Sequence, residues 1–256
     1  MAWSPETYLT FEDQRTRPAA DLLARVPLAH PRRITDIGCG PGNSTELLAR
    51  RFPDAIVEGV DSSPEMVDAA RRRLPALVFT EADIARWTPQ EPQDLIFANA
   101  VLQWLPDHAR LLLRLVSCLA PGGVLALQMP DNVDEPSHVA MRVAAGDARW
   151  RDRLANVRAD RAGIATPEAH YAMLAPVCAA LDIWRTTYVH PLEGVDAIVD
   201  WFTATGLMPI LARLEAGERP AFLAAYRSLI DAHYRPQADG RVLLAFPRLF
   251  VVVTRR

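Results

Sequence analysis

The sequence predicts an α/β fold built on a doubly wound, mostly parallel sheet of seven strands, with a helical lid. Five short apolar runs between residues 33 and 129 alternate with amphipathic stretches of helical spacing, which is typical of parallel strands joined by crossover helices. Two further strand-like runs, at 182–192 and 243–253, flank a segment of helical periodicity. The chain has 256 residues, half of them hydrophobic, and we expect one domain with a single core.

The first half of the chain supplies five of these strands and the helices between them. A helix is expected over 18–26, with Pro18 in its first turn, because apolar residues recur there on one helical face. The strands are RITDI, AIVEGV, ALVF, DLIFAN and VLALQM, and helices are expected at 43–52, 63–74 and 108–119. Ser63 can cap the helix that begins at Pro64, and Pro121-Gly122-Gly123 is expected to end the helix that follows residue 107.

The second half is less regular, with helices expected near 137–159 and 167–181. Within 219–234 the apolar side chains share one helical face, so we expect this helix to pack that face against another part of the protein. The side chains of this face are Phe222, Leu223, Tyr226, Leu229 and Ile230. We predict that 194–236 is a lid insert over the carboxyl edge of the sheet, where open α/β sheets bind ligands. The remaining divisions are an N-terminal helical cap at 1–29 and a cofactor-binding half at 30–132.

Composition and charge narrow the class of partner. The net charge of −3 and the pI near 6.1 give no general attraction to nucleic acid or an anionic membrane, so we expect a small-molecule substrate and no obligate protein partner. Three widely spaced cysteines argue against a disulfide framework and for a reducing, cytoplasmic location, and no signal peptide or membrane span is expected. No histidine or cysteine pair has a metal-ligand spacing, so no metal site is predicted.

The stretch ITDIGCGPGNST, residues 34–45, has the form of a strand followed by a nucleotide-binding glycine loop. The dinucleotide pattern G-x-G-x-x-G would place its third glycine at 43, but the glycines here are Gly38, Gly40 and Gly42. A carboxylate at Asp36 would repel a pyrophosphate and attract an ammonium group. These features favour a nucleoside with a cationic amino-acid tail, such as S-adenosylmethionine, and leave an NAD(P)-dependent oxidoreductase as the alternative.

Further polar residues follow the later strands, at the edge where the carboxyl ends of parallel strands meet. Asp61, followed by Ser62, lies 23 residues after Gly38, near the spacing of a ribose-binding acid. Asp83 could accept a hydrogen bond from an adenine amine while Ile84 packs on the ring. Aromatic faces attract cations, so a sulfonium could lie near the end of the fourth strand. The remaining candidate cofactor-binding residues are Cys39, as a small loop residue, Asn99 and Trp104.

The runs ITDIGCGPGNST, GVDSSPEMV, EADI and DLIFANAVLQWLPD resemble the class I S-adenosylmethionine-dependent methyltransferases, which have a Rossmann-like fold. Other stretches, among them WSPETYLTF, QMPDN, DIWRTTY, DWFTATGL and LLAFPRLF, are similar to members of that class that esterify a small polycarboxylate. The resemblance implies cofactor roles for Asp36, Gly38, Gly40, Asp61, Asp83 and Ile84. It also implies methyl transfer to a carboxylate, which yields a monomethyl ester and S-adenosylhomocysteine.

The residues themselves agree with a carboxylate acceptor. Methylation of amides or ring nitrogens commonly goes with an Asn/Asp-Pro-Pro-Tyr signature, whereas the fourth strand here ends in Asn99-Ala100-Val101-Leu102. A carboxylate is already ionised at neutral pH, so no catalytic residue is predicted, and the enzyme can work by positioning the reactants. Another small carboxylic acid as acceptor, or a non-catalytic cofactor-sensing module, remains an alternative.

A polyanionic substrate requires cationic donors, and arginine suits a carboxylate because its fork matches the two oxygens. The chain contains no lysine, so every cationic side chain other than histidine is an arginine. The candidate substrate-binding arginines are Arg17, Arg142, Arg185 and Arg248. Tyr8 and Phe11 could close the methyl site, and the candidate lid residues are His170, Tyr171 and Trp201.

Overall fold

The computed structural model describes residues 12–159, 164–203 and 205–256. Its strands are β1 (Arg33–Ile37), β2 (Ile56–Asp61), β3 (Val78–Glu81), β4 (Gln93–Asn99), β5 (Leu119–Pro130), β6 (Cys178–Leu192) and β7 (Val242–Arg255). Its helices are α1 (Glu12–Ala24), α2 (Asn43–Arg51), α3 (Pro64–Arg73), α4 (His108–Ser117), α5 (Pro136–Ala145), α6 (Arg151–Ala159), α7 (Pro167–Leu174), α8 (Gly194–Thr203), α9 (Met208–Leu211) and α10 (Arg219–Asp231). Short 3₁₀ turns cover Leu102–Trp104 and Ala175–Val177.

The seven strands form one sheet in the order β3-β2-β1-β4-β5-β7-β6. The pairs from β3 to β5 are parallel, and β7 runs antiparallel to β5. The chain therefore winds outward from β1 in one direction through β2 and β3, and in the other through β4 and β5. This confirms the predicted doubly wound, mostly parallel fold, and it brings the carboxyl ends of β1, β2 and β4 to one edge.

Several local boundaries differ from the sequence prediction. The first helix begins at Glu12 and contains Pro18, whose missing N–H removes one interior hydrogen bond while the buried face at Ala19 and Leu22 is kept. Helix α4 ends at Ser117, before Pro121-Gly122-Gly123, and the chain joins the sheet directly after it: the carbonyl of Cys118 accepts from the N–H of Gln93 (3.0 Å), and Leu119 pairs with Gln93 as the first residue of β5. Residues 178–181 belong to β6 and are not helical. The cap at Ser63 is confirmed, since its side chain accepts a hydrogen bond from the N–H of Met66 (3.3 Å).

The chain divides into two compact units. The sheet unit contains the described residues of Ala2–Pro130, Ile164–Thr186 and Arg248–Arg256. Its core lies where β4, β5 and β7 pack against α4 and α7, with Ile96, Leu115 and Val251 fully buried. Burying the apolar faces of a central sheet and its helices is the main stabilising contribution expected of such a unit.

The helical unit contains the described residues of Asp131–Gly163 and Thr187–Pro247. Aromatic rings form its interior: Trp150 contacts Phe222 edge to face at 5.3 Å, and Phe202 stacks on Phe246 at 6.4 Å between ring centroids. The predicted insert 194–236 lies within this unit and is helical over α8, α9 and α10. Its role as a lid stays a prediction. Among the described residues, no helix has both the length and the apolar character needed to cross a membrane.

Candidate functional site

The glycine loop joins β1 to α2 and turns back onto the end of β2. Gly38, Gly40 and Gly42 have φ angles of 69°, 53° and 94°, a region that side chains other than glycine rarely adopt. The N–H of Gly38 donates to the carbonyl of Val60 at 2.7 Å. A Cβ atom at Gly38 would lie 2.5 Å from Cβ of Val101, so the residues after β4 pack directly on this glycine. The predicted strand, loop and helix are therefore present.

Asp36 lies fully buried beneath the loop, at the end of β1. Its Oδ2 accepts hydrogen bonds from the hydroxyls of Ser44 and Thr45 in the first turn of α2, both at 2.7 Å. Its Oδ1 has no hydrogen-bond partner among the described residues. Burial raises the pKa of Asp36 to about 7, with the two hydroxyls opposing this shift and the charge of Asp61 adding to it. One oxygen thus fixes the helix, and the other is an unused acceptor.

Asp61 fastens the loop to the end of β2. Its Oδ2 accepts from the N–H of Gly40, and its Oδ1 accepts from the N–H of Ser63, both at 2.9 Å. The side chain remains half-buried, and the neighbouring Ser62 is exposed. Because each carboxylate oxygen has two lone pairs, Asp61 can still accept hydrogen bonds from a ligand's hydroxyls.

The next two residues of the predicted cofactor site lie after β3. Asp83 is exposed, and its Oδ1 accepts from the N–H of Ala85 at 2.9 Å. Ile84 is 4% exposed and packs in the core of the sheet unit. Asp83 therefore presents an exposed acceptor, whereas the side chain of Ile84 is largely taken up by the core, and the contacts of both residues with an adenine ring stay predictions.

Cys39 points away from the surface that the loop presents. Its side chain packs beneath the loop in a small apolar cluster with Val67, Ala70 and Phe79. Burial raises the pKa of its thiol far above the ordinary value, and the charges of Asp36 and Asp61 add to the shift. The thiol is therefore an inert packing group, and only the backbone of Cys39 remains available to a cofactor.

Asn99 ends β4 in a corner that leads to Trp104. Ala100 has a φ angle of 56°, and its N–H donates to the carbonyl of Gln128 at 3.0 Å. The side chain of Gln128 donates from Nε2 to Oδ1 of Asn99 and accepts at Oε1 from Nη1 of Arg248 (3.0 Å). Trp104 follows in a 3₁₀ turn and is 40% exposed. An exposed ring beside a strand end suits the predicted contact with a cation.

Sequence reasoning missed Gln128, although a signal was present. It is the one polar residue in the apolar run VLALQM, and a polar side chain in a fully buried strand needs hydrogen-bond partners. The partners, Asn99 and Arg248, lie 29 and 120 residues away along the chain. Val101, which covers Gly38, gave no comparable signal.

The four candidate arginines differ sharply in their surroundings. Arg248 is 4% exposed and belongs to the sheet unit. Arg142, in the helical unit, donates from Nη1 to the carbonyl of Val133, and its Nη2 lies 3.9 Å from Oδ1 of Asp134. Arg17 on α1 and Arg185 on β6 are exposed. A buried guanidinium must be held by hydrogen bonds, so Arg248 is the arginine whose position the fold fixes most firmly.

The candidate lid residues are placed as follows. Trp201 is 2% exposed and packs against the rings of His190 (5.0 Å) and Phe246 (5.8 Å), so it belongs to the interior of the helical unit. His170 is fully buried, and its Nδ1 lies 3.0 Å from the carbonyl of Thr166. Tyr171 is 61% exposed. Tyr8 and Phe11 lie outside the described residues. Helical spacing of aromatic residues could not separate interior packing from a ligand-facing surface.

Within the described ranges, no group of three or more histidine, cysteine, aspartate or glutamate side chains could hold a metal ion. The acidic residues of the site are instead engaged with backbone N–H groups and hydroxyls of the glycine loop and its neighbours.

Comparison with known families identifies a methyltransferase domain over residues 11–172, and the chain belongs to this family. The oxidoreductase alternative finds no support there. A trans-aconitate 2-methyltransferase of Rhodopseudomonas palustris (strain BisB18) is 56% identical over 253 residues, which cover 99% of this chain and 99% of that protein.

Two solved structures show the same fold at low identity. The YcgJ protein from Bacillus subtilis has a TM-score of 0.60 and 13% identity, over 94% of this chain and 98% of that chain. Phosphoethanolamine N-methyltransferase 2 of Haemonchus contortus, solved with S-adenosylhomocysteine, has a TM-score of 0.54 and 16% identity, over 94% of this chain and 53% of that chain.

Proposed function

We propose that this protein transfers the methyl group of S-adenosylmethionine to one carboxylate of trans-aconitate, giving a monomethyl ester and S-adenosylhomocysteine. The observation that carries the proposal is the 56% identity, over 99% of both chains, to the trans-aconitate 2-methyltransferase of R. palustris. The substrate is accordingly a small polycarboxylate. The three cysteines are free thiols, which supports the cytoplasmic location that the sequence predicts.

The residues at the sheet edge fit S-adenosylmethionine. Oδ1 of Asp36 is buried and has no hydrogen-bond partner in the described part of the chain, and an ammonium group would satisfy it. Asp61 retains lone pairs for ribose hydroxyls, and Asp83 with Ile84 suits the adenine. The N-terminal turn of α2 and the glycine loop let the backbone approach the ligand closely.

The chemistry requires positioning and no general base. S-adenosylmethionine, when bound, supplies an electrophilic methyl group on a sulfonium sulfur. The acceptor carboxylate is ionised at neutral pH, so no residue of the chain has to remove a proton. We assign to Arg248 the binding of a substrate carboxylate and to Trp104 an aromatic face near the sulfonium. Holding the reacting atoms in line is then the main contribution of the protein.

A panel of acids tests the proposed function directly. The protein is incubated with S-adenosylmethionine and trans-aconitate, cis-aconitate, citrate or a monocarboxylic acid, and the products are identified by mass spectrometry. We expect a monomethyl ester of trans-aconitate as the main product. Absence of ester from every acid, or preferred methylation of an amine or phenol added to the panel, would contradict the proposal.

The affinity for S-adenosylmethionine is expected to rise with pH between about 6 and 7.5. Asp36 has a pKa of about 7 before the cofactor binds, and an ammonium at Oδ1 favours the ionised carboxylate, so binding releases a proton below that pH. One released proton makes the dissociation constant at pH 6 roughly eightfold higher than at pH 7.5. The α-amino group of the ligand titrates at about 7.7–8.0, so its loss of charge opposes this rise only near the upper end of the range. Calorimetry in buffers of different ionisation enthalpy measures both the affinity and the proton count.

Asp36→Asn is the matched variant for that measurement, because it keeps the shape of the side chain and removes the titration. We expect weaker binding with no rise in affinity over the same pH range. If the wild-type affinity does not vary with pH, Asp36 acts only through Ser44 and Thr45 as a support of α2, and the ammonium is bound elsewhere.

A further inference from the structure

The side chain of Gln128 is the middle member of a hydrogen-bonded chain across three strands of the sheet unit. It is fully buried on β5, between Asn99 on β4 and Arg248 on β7. The strand register explains the meeting: Asn99 lies opposite Gln128 in the parallel pair, and Arg248 lies opposite Pro130 in the antiparallel pair. A buried amide with both ends engaged has one fixed orientation.

Arg248 determines the direction of this chain of hydrogen bonds. A guanidinium has only donors, so the atom of Gln128 that faces it must be the oxygen Oε1. The amino group Nε2 then faces Asn99 and can only donate, which turns Oδ1 of Asn99 toward Gln128. The amino group Nδ2 of Asn99 is left over, and no hydrogen bond within the described residues uses it.

The backbone of Gln128 holds the same corner. Its carbonyl accepts the N–H of Ala100, whose φ angle of 56° marks the turn at the end of β4. The carbonyl of Ala100 in turn accepts from Nε2 of Gln103 at 2.7 Å. Hydrogen bonds therefore hold both the side chain of Asn99 and the backbone of Ala100 that follows it. Asn99 remains half-buried and accessible to a ligand.

We propose that Gln128 is a positioning residue of the acceptor site: it orients Asn99 so that Nδ2 donates to a carboxylate of the substrate, alongside the guanidinium of Arg248. This inference rests on the proposed function, since it assigns to the acceptor the chemistry of a carboxylate. The amide of Asn99 in this orientation and the guanidinium of Arg248 both present donors, and donors favour carboxylate oxygens over an amide or amine of the same shape. Gln128 does not contact the substrate in this proposal, and it acts on the methyl transfer only through Asn99.

Gln128→Glu replaces the amino group that donates to Asn99 by a carboxylate oxygen that can only accept, with almost no change in side-chain volume. The new carboxylate pairs with Arg248 and cannot donate to Asn99, so the amide of Asn99 turns and presents its oxygen to the substrate. We expect the KM for trans-aconitate to rise roughly thirtyfold or more, because a charge-assisted donor is replaced by a repelling acceptor. The affinity for S-adenosylmethionine should stay within about threefold, because the proposal assigns the side chain of Asn99 to the substrate in place of the cofactor role that the sequence predicts for it. The kcat at saturating acid should also stay within about threefold.

Gln93→Glu is the control, because Gln93 is also a buried glutamine of the sheet, at the amino end of β4. Oε1 of Gln93 accepts from Oγ1 of Thr35 at 2.9 Å, and Gln93 lies away from the carboxyl edge. The KM of the Gln93→Glu variant for trans-aconitate should therefore be unchanged, even if the variant is less stable. Gln128→Met provides a second test that buries no charge, and its KM should rise about tenfold. If the wild type methylates trans-aconitate and both Gln128 variants have the same KM as the wild type, the inference is overturned. If the wild type methylates no acid, the proposed function itself is overturned.

Discussion

Replacing Arg248 by methionine is expected to lower kcat/KM for trans-aconitate by about 100-fold or more, because a buried carboxylate that loses its charged partner is destabilised by roughly 3–5 kcal/mol. Arg248 is 4% exposed and donates from Nη1 to Oε1 of Gln128, so the sheet holds its guanidinium in place. Methionine keeps much of the apolar volume of the side chain and removes the guanidinium. Steady-state kinetics with both substrates, together with a melting curve, measures the effect.

Arg185→Met is the matched control, since it makes the same chemical change on an exposed side chain of β6, and it also tests the substrate role that the sequence predicts for Arg185 and that the proposed function does not use. Its kcat/KM should change by less than about threefold, as expected for an exposed charge. Arg248→Lys should be intermediate, because lysine retains the charge and loses the two-pronged geometry. A folded Arg248→Met protein with activity near that of the wild type would remove Arg248 from the substrate site and transfer the role to Arg17 or Arg142.

Gly38→Ala is expected to lower the free energy of unfolding by about 2–5 kcal/mol and to abolish measurable cofactor binding. Two costs add: alanine at a φ angle of 69° costs about 1–2 kcal/mol, and overlap with Val101 costs about 1–3 kcal/mol. The loop must shift to relieve the overlap, and its backbone then no longer faces the ligand. Urea denaturation gives the stability, and calorimetry with S-adenosylmethionine gives the binding.

Gly122→Ala separates the two costs. Gly122 has a φ angle of 76°, but a Cβ atom there would meet nothing within 4 Å, so only the backbone strain of about 1–2 kcal/mol remains. In the double variant Gly38→Ala/Val101→Gly, part of the lost stability should return, because the overlapping side chain is gone. Equal destabilisation by Gly38→Ala and Gly122→Ala would show that the contact with Val101 does not constrain the loop.

The sequence by itself determined the strands, most of the helices and the class of the cofactor loop. These features depend on neighbours close along the chain: the alternation of apolar runs and helical stretches, the cap at Ser63, and the spacing of the glycines after Asp36. Asp61 and Asp83 could be placed at the same edge because parallel strands align their carboxyl ends. The length of the first helix and the end of α4 were wrong, since backbone pairing and burial overrode the local signals at Pro18 and Pro121.

Only the tertiary structure decided which side chains meet. Strand register brings Gln128 between Asn99 and Arg248, and no local pattern specifies a contact between residues 120 positions apart. Burial likewise separated Arg248 from the exposed Arg185, although both are arginines on late strands. Trp201 and Tyr171 both belong to helices, yet one is 2% and the other 61% exposed. The physical reason is that helical periodicity records which face of an element is apolar, whereas the partner of that face depends on the packing of the whole chain.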